Sequence, residues 1–531
     1  MATNISKVYL LNVPLEDDMK NTLYFASASN QQSYFNGNIG KTYTNVSYQS
    51  ETRTFRCSDQ IDTVRQYNYI MWQNTAYSNK WFYAFIKKMT HVSDGYTDVE
   101  FEVDPLQTYM FDITIKPSFV EREHTNNDTI GNNLLEEPVA LGEFVYNGSE
   151  VDFAETSKEN GYLCLGVTEL VEPLDSNPLT NWLTVYSGVY SGLQYMFFDS
   201  FVSLQRVIDY YVRKGKQDAL QTIFYTPKSF VDNSSPKSQT YSLSSPTNTA
   251  KVIWIEPTMD PVRVNASSAR PASLDGYVPR NNKLLTKPYC FVDLTNNCGS
   301  EVSFAYEDFT GGTASFRADI ALCPSMSIKA SPTNYKNTSS NGIRAYSDGI
   351  MGAKTPQCSW VTDYYTNWLT QNAVNIPIQA MNSAFSVAGG LATGNYLGAS
   401  ANFLGAVGNV ISENYRASLV PDQVHGNVNS GDISFSRDKM CFSILPKSIK
   451  YQYARIIDDW FDIFGYQTNR LKVPNTAHRA NWWYTKTINV NITGNVPNDY
   501  MNKIKDAYNN GLTFWRNPSN FLNYSVSNGV V

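Results

Sequence analysis

Between Asp363 and Glu413 the chain carries no charged side chain, a run of 49 residues in a 531-residue protein that is 17% Asp, Glu, Lys and Arg. A stretch of that length without charge needs a cover, either protein or lipid. Inside it lies a repeat of seven: LATGNYL (391–397), GASANFL (398–404) and GAVGNVI (405–411), with Ala second and Asn fifth each time. A period of seven keeps each place of the repeat on one face of a slightly underwound helix. Gly394, Gly398, Ala401, Gly405 and Gly408 then form a seam of small residues, flanked by Asn395, Asn402 and Asn409. Bulk lies elsewhere, at Tyr396, Phe403 and Val410 and at Leu397, Leu404 and Ile411. Small seams, including the Gly390, Gly394, Gly398 register, let helix backbones approach closely while amide side chains hydrogen-bond across the contact. The bulky face is left for lipid or a protein core.

Each interior glycine costs a helix about 1 kcal/mol relative to alanine, so this helix needs neighbours. Ala384 to Ile411 is 28 residues, enough to cross a hydrocarbon layer of about 30 Å at about 1.5 Å per residue. Phe385, Val387, Leu391 and Val407 add to its apolar content, and Trp368 to Ser383, broken by Pro377, supplies an entry arm. Asn, Ser and Thr dilute the hydrophobicity, so one copy inserts weakly and several together insert better. Three readings follow: a helical hairpin buried in a soluble bundle, a membrane-active segment, or a permanent anchor. Moderate hydropathy and the lack of flanking basic clusters weigh against the anchor.

The rest of the chain is long enough for several domains. Aromatic residues make up 14% of it, with 36 Tyr, a profile that suits pleated, half-buried surfaces and contacts between copies. A mainly β, multi-domain fold with some α is the expectation. Net charge is -6 with no basic cluster beyond pairs such as Lys87-Lys88 and Arg213-Lys214, which argues against a tight grip on a phosphate backbone. The amino terminus lacks the long apolar core of a secretory signal, so assembly in the cytoplasm is expected. Cys57, Cys164, Cys290, Cys298, Cys323, Cys358 and Cys441 are scattered with no CxxC pair; the expectation is reduced, mostly buried thiols and neither zinc nor a disulfide framework.

Local patterns place elements along the chain. Val99, Phe101 and Val103 alternate with Asp98, Glu100, Glu102 and Asp104, and Asp94-Gly95 separates them from the β-forming run Trp81 to Ile86, which predicts a long hairpin. Leu204, Val207, Ile208, Tyr211 and Val212 predict a helix stopping near Gly215. The stretches 231–250 and 271–273, rich in Ser, Thr, Pro and Asn, read as surface loops. Ile456, Ile457, Trp460, Phe461 and Phe464 form a helical stripe ended by Gly465. Ile488, Val490 and Ile492 alternate as one strand should, and a helix from Asn498 stops at Gly511.

Catalytic patterns are missing. His91, His124, His425 and His478 show no metal-ligand spacing, and no HExxH, GxSxG, P-loop or dinucleotide fingerprint appears. His124, beside Arg122 and Glu123, reads as part of a structural ion pair. The acid pairs Asp17-Asp18, Glu136-Glu137 and Asp458-Asp459 read as solvated.

Ordered strings near both ends carry a resemblance. Asn21-Thr22-Leu23-Tyr24-Phe25, Ser29-Asn30-Gln31, Met71-Trp72-Gln73-Asn74, Asn79-Lys80-Trp81-Phe82-Tyr83-Ala84-Phe85, Phe101-Glu102-Val103-Asp104 and Ser118-Phe119-Val120-Glu121-Arg122-Glu123-His124 are similar to tail knob proteins of small short-tailed phages of Gram-positive bacteria. So are Phe464-Gly465-Tyr466, Lys472-Val473-Pro474-Asn475 and Asn510-Gly511-Leu512-Thr513-Phe514-Trp515. The resemblance covers about the first 125 and last 100 residues well, and the middle weakly. It implies a non-enzymatic virion protein of the tail tip, without cofactor or metal, forming a hexameric β-rich tube. It implies that six copies of Ala384 to Ile411 plug the lumen and later leave it to form a channel in the host cell membrane. Implied partners are five further copies, other tail proteins on the upper, connector side, the host cytoplasmic membrane, and genomic DNA passing without sequence-specific contact. The matching organisation is 1–125 as a β tube domain, 126–287 as a loop-rich middle domain, 288–363 as a β segment of the tube body, 364–424 as the plug loop and 425–531 as an α/β part of the tube body. Adhesion to a receptor and, further off, cell-wall hydrolysis are the competing functions.

Overall fold

The alternation that predicts a hairpin builds one. The computed structural model describes residues 6–46, 48–49, 53–157, 161–180, 184–186, 188–231, 236–243, 248–297, 300–320, 327–335, 356–359 and 439–531. In it, Trp81–Ser93 and Tyr96–Val103 pair antiparallel across the Asp94-Gly95 turn, where Gly95 takes φ 87°, a conformation that costs glycine little. Val99, Phe101 and Val103 are buried. Three of the four acids face outward: Asp98 holds Arg56 through two bonds of 2.6 and 2.8 Å, and Glu102 meets Lys87 and Lys503. Asp104 is buried instead, its carboxylate satisfied by the Leu106 and Gln107 N–H groups of the next turn at 3.0 and 3.1 Å.

Two units account for the chain, one made of Met1–Gly142, Gly276–Leu285 and Tyr451–Val531, the other of Glu143–Asp275 and Thr286–Lys450. Strands dominate both, as the aromatic, weakly charged composition leads one to expect.

The first unit contains a seven-stranded sheet in the order Ile39–Val46, Ser6–Leu11, Tyr69–Asn74, Trp81–Ser93, Tyr96–Val103, Thr54–Cys57, Tyr48–Gln49. The run Tyr69-Ile70-Met71-Trp72 is buried throughout because this sheet covers two cores. Ile70 and Trp72 join Val8, Leu10, Phe55 and Phe101 on one face, while Tyr69 and Met71 join Phe35, Tyr83, Trp482 and Trp515 on the other. A strand covered on both sides has no polar alternation to show. The second sheet, in the order Asn21–Leu23, Leu512–Trp515, Trp482–Ile488, Ser118–Glu123, Tyr466–Lys472, is stitched from both ends of the sequence, with Asn21–Leu23 parallel to Leu512–Trp515.

Helix Tyr451–Phe464 ends at Gly465, whose φ is 64° and at which a Cβ would overlap the Glu123 carbonyl and the His124 nitrogen. Only part of the expected stripe is inward. Ala454, Ile457 and Phe461 are buried, whereas Ile456 is 65% exposed and Trp460 is 37% exposed, because the packed face is narrower than the apolar pattern. Helix Asn498–Asn510 stops at Gly511 as expected. The single strand expected across Ile488 to Ile492 is two: Trp482–Ile488 ends, Asn489 takes φ 51°, and Ile492–Gly494 pairs with Ile113–Ile115 instead. Asn tolerates that left-handed turn through its short polar side chain.

In the second unit, Leu220–Pro227, Gly161–Val167, Gln194–Phe198, Thr249–Trp254 and Lys237–Ser242 form one sheet in that order. Helix Phe201–Arg213 packs Leu204, Val207, Ile208 and Tyr211 against it. Beyond the helix, Gly215 N–H reaches Val212 O at 3.0 Å and Lys216 N–H reaches Tyr211 O at 2.9 Å, the bonding of a Schellman stop. Within the stretch 231–250 expected as loop, the described residues 237–242 and 249–250 belong to a strand pair, Lys237–Ser242 against Thr249–Trp254, since Thr and Tyr suit a sheet as well as Ser suits a turn. Cys57, Cys164 and Cys290 are free, buried thiols; Cys298 and Cys323 lie outside the described residues.

Buried charge locks the first unit and corrects two expectations. Glu137 is not solvated: its side chain is buried, meets Arg122 and Lys283, and accepts the Gln467 N–H at 2.9 Å. Burial lowers the Lys283 pKa while Glu137 opposes that shift. Asp458 is buried too, accepting Tyr277 Oη at 2.8 Å, Arg280 N–H at 2.7 Å and Asn281 N–H at 3.1 Å. Nor does His124 form an ion pair. Arg122 is taken by Glu137, and Glu123 by Lys472 at 2.6 Å. The buried imidazole accepts Tyr484 N–H on Nδ1 at 2.7 Å and donates from Nε2 to the Asp462 carbonyl at 3.1 Å, the tautomer that this bonding assigns. Burial, then the nearby Arg479, pushes its pKa down to about 3.

Candidate functional site: the strands that carry the uncharged segment

All of the residues expected to be membrane-active, from Phe385 to Ile411, lie outside the described residues, as does the whole uncharged run. What is described is where the chain departs for that run and where it returns, both in the second unit.

Departure is from a small edge. Among the described residues, Gln357–Ser359 is the last strand of a four-stranded sheet, after Val262–Ala269, Thr313–Ile320 and Ser327–Thr333, and pairs only with the latter through three residue pairs. Return is to a centre. Lys439–Ile449 pairs with Val151–Ser157 along its first half, with Phe144–Tyr146 along its last residues, and with Cys290–Thr295 on the other side. Pro446 sits where the partner changes between the two shorter strands, a place where a missing N–H is tolerated.

Polar groups fix this returning strand in register. The buried Asp293 carboxylate meets Lys447 Nζ at 2.6 Å, and Glu301 meets the same ammonium at 3.1 Å. The hydrogen bond with Asp293, followed by burial, raises the Glu301 pKa. Burial opposes the Lys447 charge, but the two carboxylates outweigh it and raise that pKa. One lysine facing two acids is a strut whose charges depend on one another. Further along, Ser443 Oγ donates to Asp152 and accepts from Asn297 Nδ2 at 2.7 Å. None of these residues is singled out by sequence reasoning. The available signal was Lys447, a charge following the largely apolar run Met440 to Pro446, but its partner Asp293 lies 154 positions earlier.

Among the described residues no helix is long and apolar enough to cross a membrane, and no group of His, Cys, Asp and Glu is placed to hold a metal ion.

Residues 256–529, more than half of the chain and including both flanks of the uncharged run, match the family described as the C-terminal domain of tail knob protein gp9 of Bacillus phage phi29. The chain belongs to the tail knob family. Residues 3–114 match the amino terminus of the caudoviral major tail protein. Tail knob protein gp9 of Bacillus phage B103 is 24% identical across 95% of either chain, and its phi29 counterpart is 24% identical across 98% of this chain and 97% of that one. In fold, the chain is similar to the bacteriophage C1 tail knob protein gp12, with a TM-score of 0.58, 15% identity and coverage of 99% of this chain and 100% of that one. Members of this family are structural proteins of the phage tail, which gives the chain its class: a virion component and not an enzyme.

Proposed function

We propose that six copies assemble into the distal tail tube, or knob, of a short-tailed phage, with the stretches 1–125 and 425–531 in the tube body. The segment from Ala384 to Ile411 plugs the lumen of each particle. On infection it leaves the lumen and joins its counterparts in the host cytoplasmic membrane, where they form the channel for DNA. The observation that carries this reading is the 49-residue run without charge: a glycine seam that favours helix association and a bulky flank that suits lipid, in a chain of the tail knob family. The net charge of -6 suits a passage through which DNA slides without adhering.

The test is dye release from vesicles of mixed zwitterionic and anionic lipid by the full-length protein and by a variant lacking 384–411. Release by the full-length protein alone is expected, with both proteins giving the same particle in sedimentation. Undiminished release by the deletion variant refutes the assignment of that segment.

A further inference from the structure

Helix Asn498–Asn510 forms one wall of a cleft of about 690 Å³ in the first unit. Lys503, Asp506, Ala507 and Asn510 follow one another at helical spacing, so a single face of the helix lines the cleft. Ile463 and Phe464, from the end of helix Tyr451–Phe464, and Tyr524 give it an apolar floor. Tyr524 is braced by Trp482 and Trp515, whose rings lie 5.2 and 5.0 Å away. Most of the charge around the cleft is matched: Glu102 holds Lys503, Lys87 holds Asp17 and Lys20 holds Asp18. The exposed side chains of Asp506 and Asn510 are left over, with no ion pair or hydrogen bond among the described residues.

A third unmatched group comes from beneath. Tyr484, in strand Trp482–Ile488, is only 8% exposed yet lines the cleft, and its Oη has no hydrogen-bond partner among the described residues. Its position is fixed: the backbone N–H donates to His124 Nδ1 at 2.7 Å, the strand pairs it with Thr513, and its ring meets Phe464 edge-on at 5.3 Å. Gly511, at φ 99°, makes room for the hydroxyl, because a Cβ there would overlap it. Burial pushes the phenol pKa up to about 12, so the group keeps its proton and can donate it. A buried hydroxyl without a partner costs stability, and the cleft is where a partner can enter.

These groups define a guest. It presents acceptors to Tyr484 and Asn510, donors to Asp506, and an apolar face to Tyr524 and Phe464. Sugar hydroxyls donate and accept at once, and the C–H face of a pyranose ring covers an aromatic side chain. Asp17, Asp18 and Asp506 disfavour an anion. A bare cation would satisfy Asp506 but leave the phenol proton and the apolar floor unused.

We propose that this cleft binds a small uncharged saccharide, Tyr484 Oη donating to one hydroxyl, Asp506 accepting from its neighbours, and the ring face resting on Tyr524. The site needs neither the uncharged segment nor assembly, and it would add glycan contact to the role of a tail protein.

The experiment is saturation-transfer NMR on the full-length protein with glucose, galactose, N-acetylglucosamine and maltose, and with ethanolamine as the cationic probe. Transfer to at least one saccharide is expected, strongest at its ring C–H protons. For that saccharide Tyr484→Phe should raise the dissociation constant about fivefold and Asp506→Asn about tenfold, while Asp499→Asn, an exposed acid of the same helix outside the cleft lining, should leave it unchanged. Both cleft variants should melt as wild type does, since one removes a hydroxyl that bonds nothing in the protein and the other alters an exposed side chain. No transfer to any of the saccharides, or binding undiminished in either cleft variant, overturns the proposal. So does binding of ethanolamine alone, which would make Asp506 a cation site.

Discussion

His124 offers a test of how the buried polar groups set stability. Its pKa is about 3 in the fold against 6.5 for a free imidazole. At pH 7 neither state carries the proton; below pH 6.5 the unfolded chain takes it up and the folded chain refuses it. The stability that His124 contributes is therefore full above pH 6.5 and falls as the pH drops toward 3. At pH 4 the loss is about 3 kcal/mol, at about 1.4 kcal/mol for each pH unit below 6.5. Asp104 and Asp462 work the other way. Burial raises both to about 6, so their folded forms gain protons first and favour folding as the pH falls from about 6. The raw pH profile mixes these signs, and the comparison with His124→Gln separates them. Glutamine carries no titrating proton, so the acid penalty disappears while its amide oxygen still accepts the Tyr484 N–H. At pH 7 the variant should be less stable by about 1 kcal/mol for imperfect hydrogen bonding. Between pH 7 and pH 4 it should gain about 3 kcal/mol on wild type. For a unit of this size that is a relative rise of about 6–12 °C in melting temperature, read by scanning calorimetry at pH 7, 5.5 and 4. A gap between variant and wild type that stays constant to about 2 °C across that range would refute the neutral, proton-refusing imidazole.

Two further substitutions probe the scaffold. Gly465→Ala places a Cβ against the Glu123 backbone at φ 64° and should cost at least about 2 kcal/mol, whereas Gly215→Ala, at φ 68° with open space around it, should cost only about 1 kcal/mol. Equal urea midpoints for the two variants would show that the close approach at Gly465 is unimportant. Lys447→Met strands the buried Asp293 carboxylate and should destabilise the second unit by about 3 kcal/mol; adding Asp293→Asn should restore most of it in a thermal melt, and a single variant as stable as wild type counts against the strut.

Much of the fold is legible where one pattern has one explanation. The Asp94-Gly95 hairpin, the helix stopping at Gly215 and the helix stopping at Gly511 all combine a period with a local stop, and the structure contains each. Patterns whose meaning depends on distant partners read less well. Glu137 looks solvated beside Glu136 because its cation Lys283 lies 146 positions away. His124 looks like an ion-pair member because its charged neighbours in sequence are in fact taken by Glu137 and Lys472. The strand expected through Ile492 fails at one backbone angle, which no apolar count records. For the candidate site, chain composition points to the uncharged segment, while the strut that fixes its return strand requires Asp293, Glu301 and Lys447 to be brought together by folding.

The way Ser118–Glu123 is sandwiched has a consequence for how the protein is made. Both of its sheet neighbours, Tyr466–Lys472 and Trp482–Ile488, leave the ribosome hundreds of residues later, a delay of roughly 20–70 s at ordinary elongation rates. The intervening second unit ends at Lys450, so its own last strand emerges only shortly before Tyr466–Lys472. Newborn chains thus pass through a stage in which the beginning is still waiting for the end, with Trp482 and Trp515 missing from a core already lined by Phe35, Tyr69 and Tyr83. Closing a core begun by these three rings only when Trp482 and Trp515 arrive ties the completion of this unit to the synthesis of residues about 400 positions or more later.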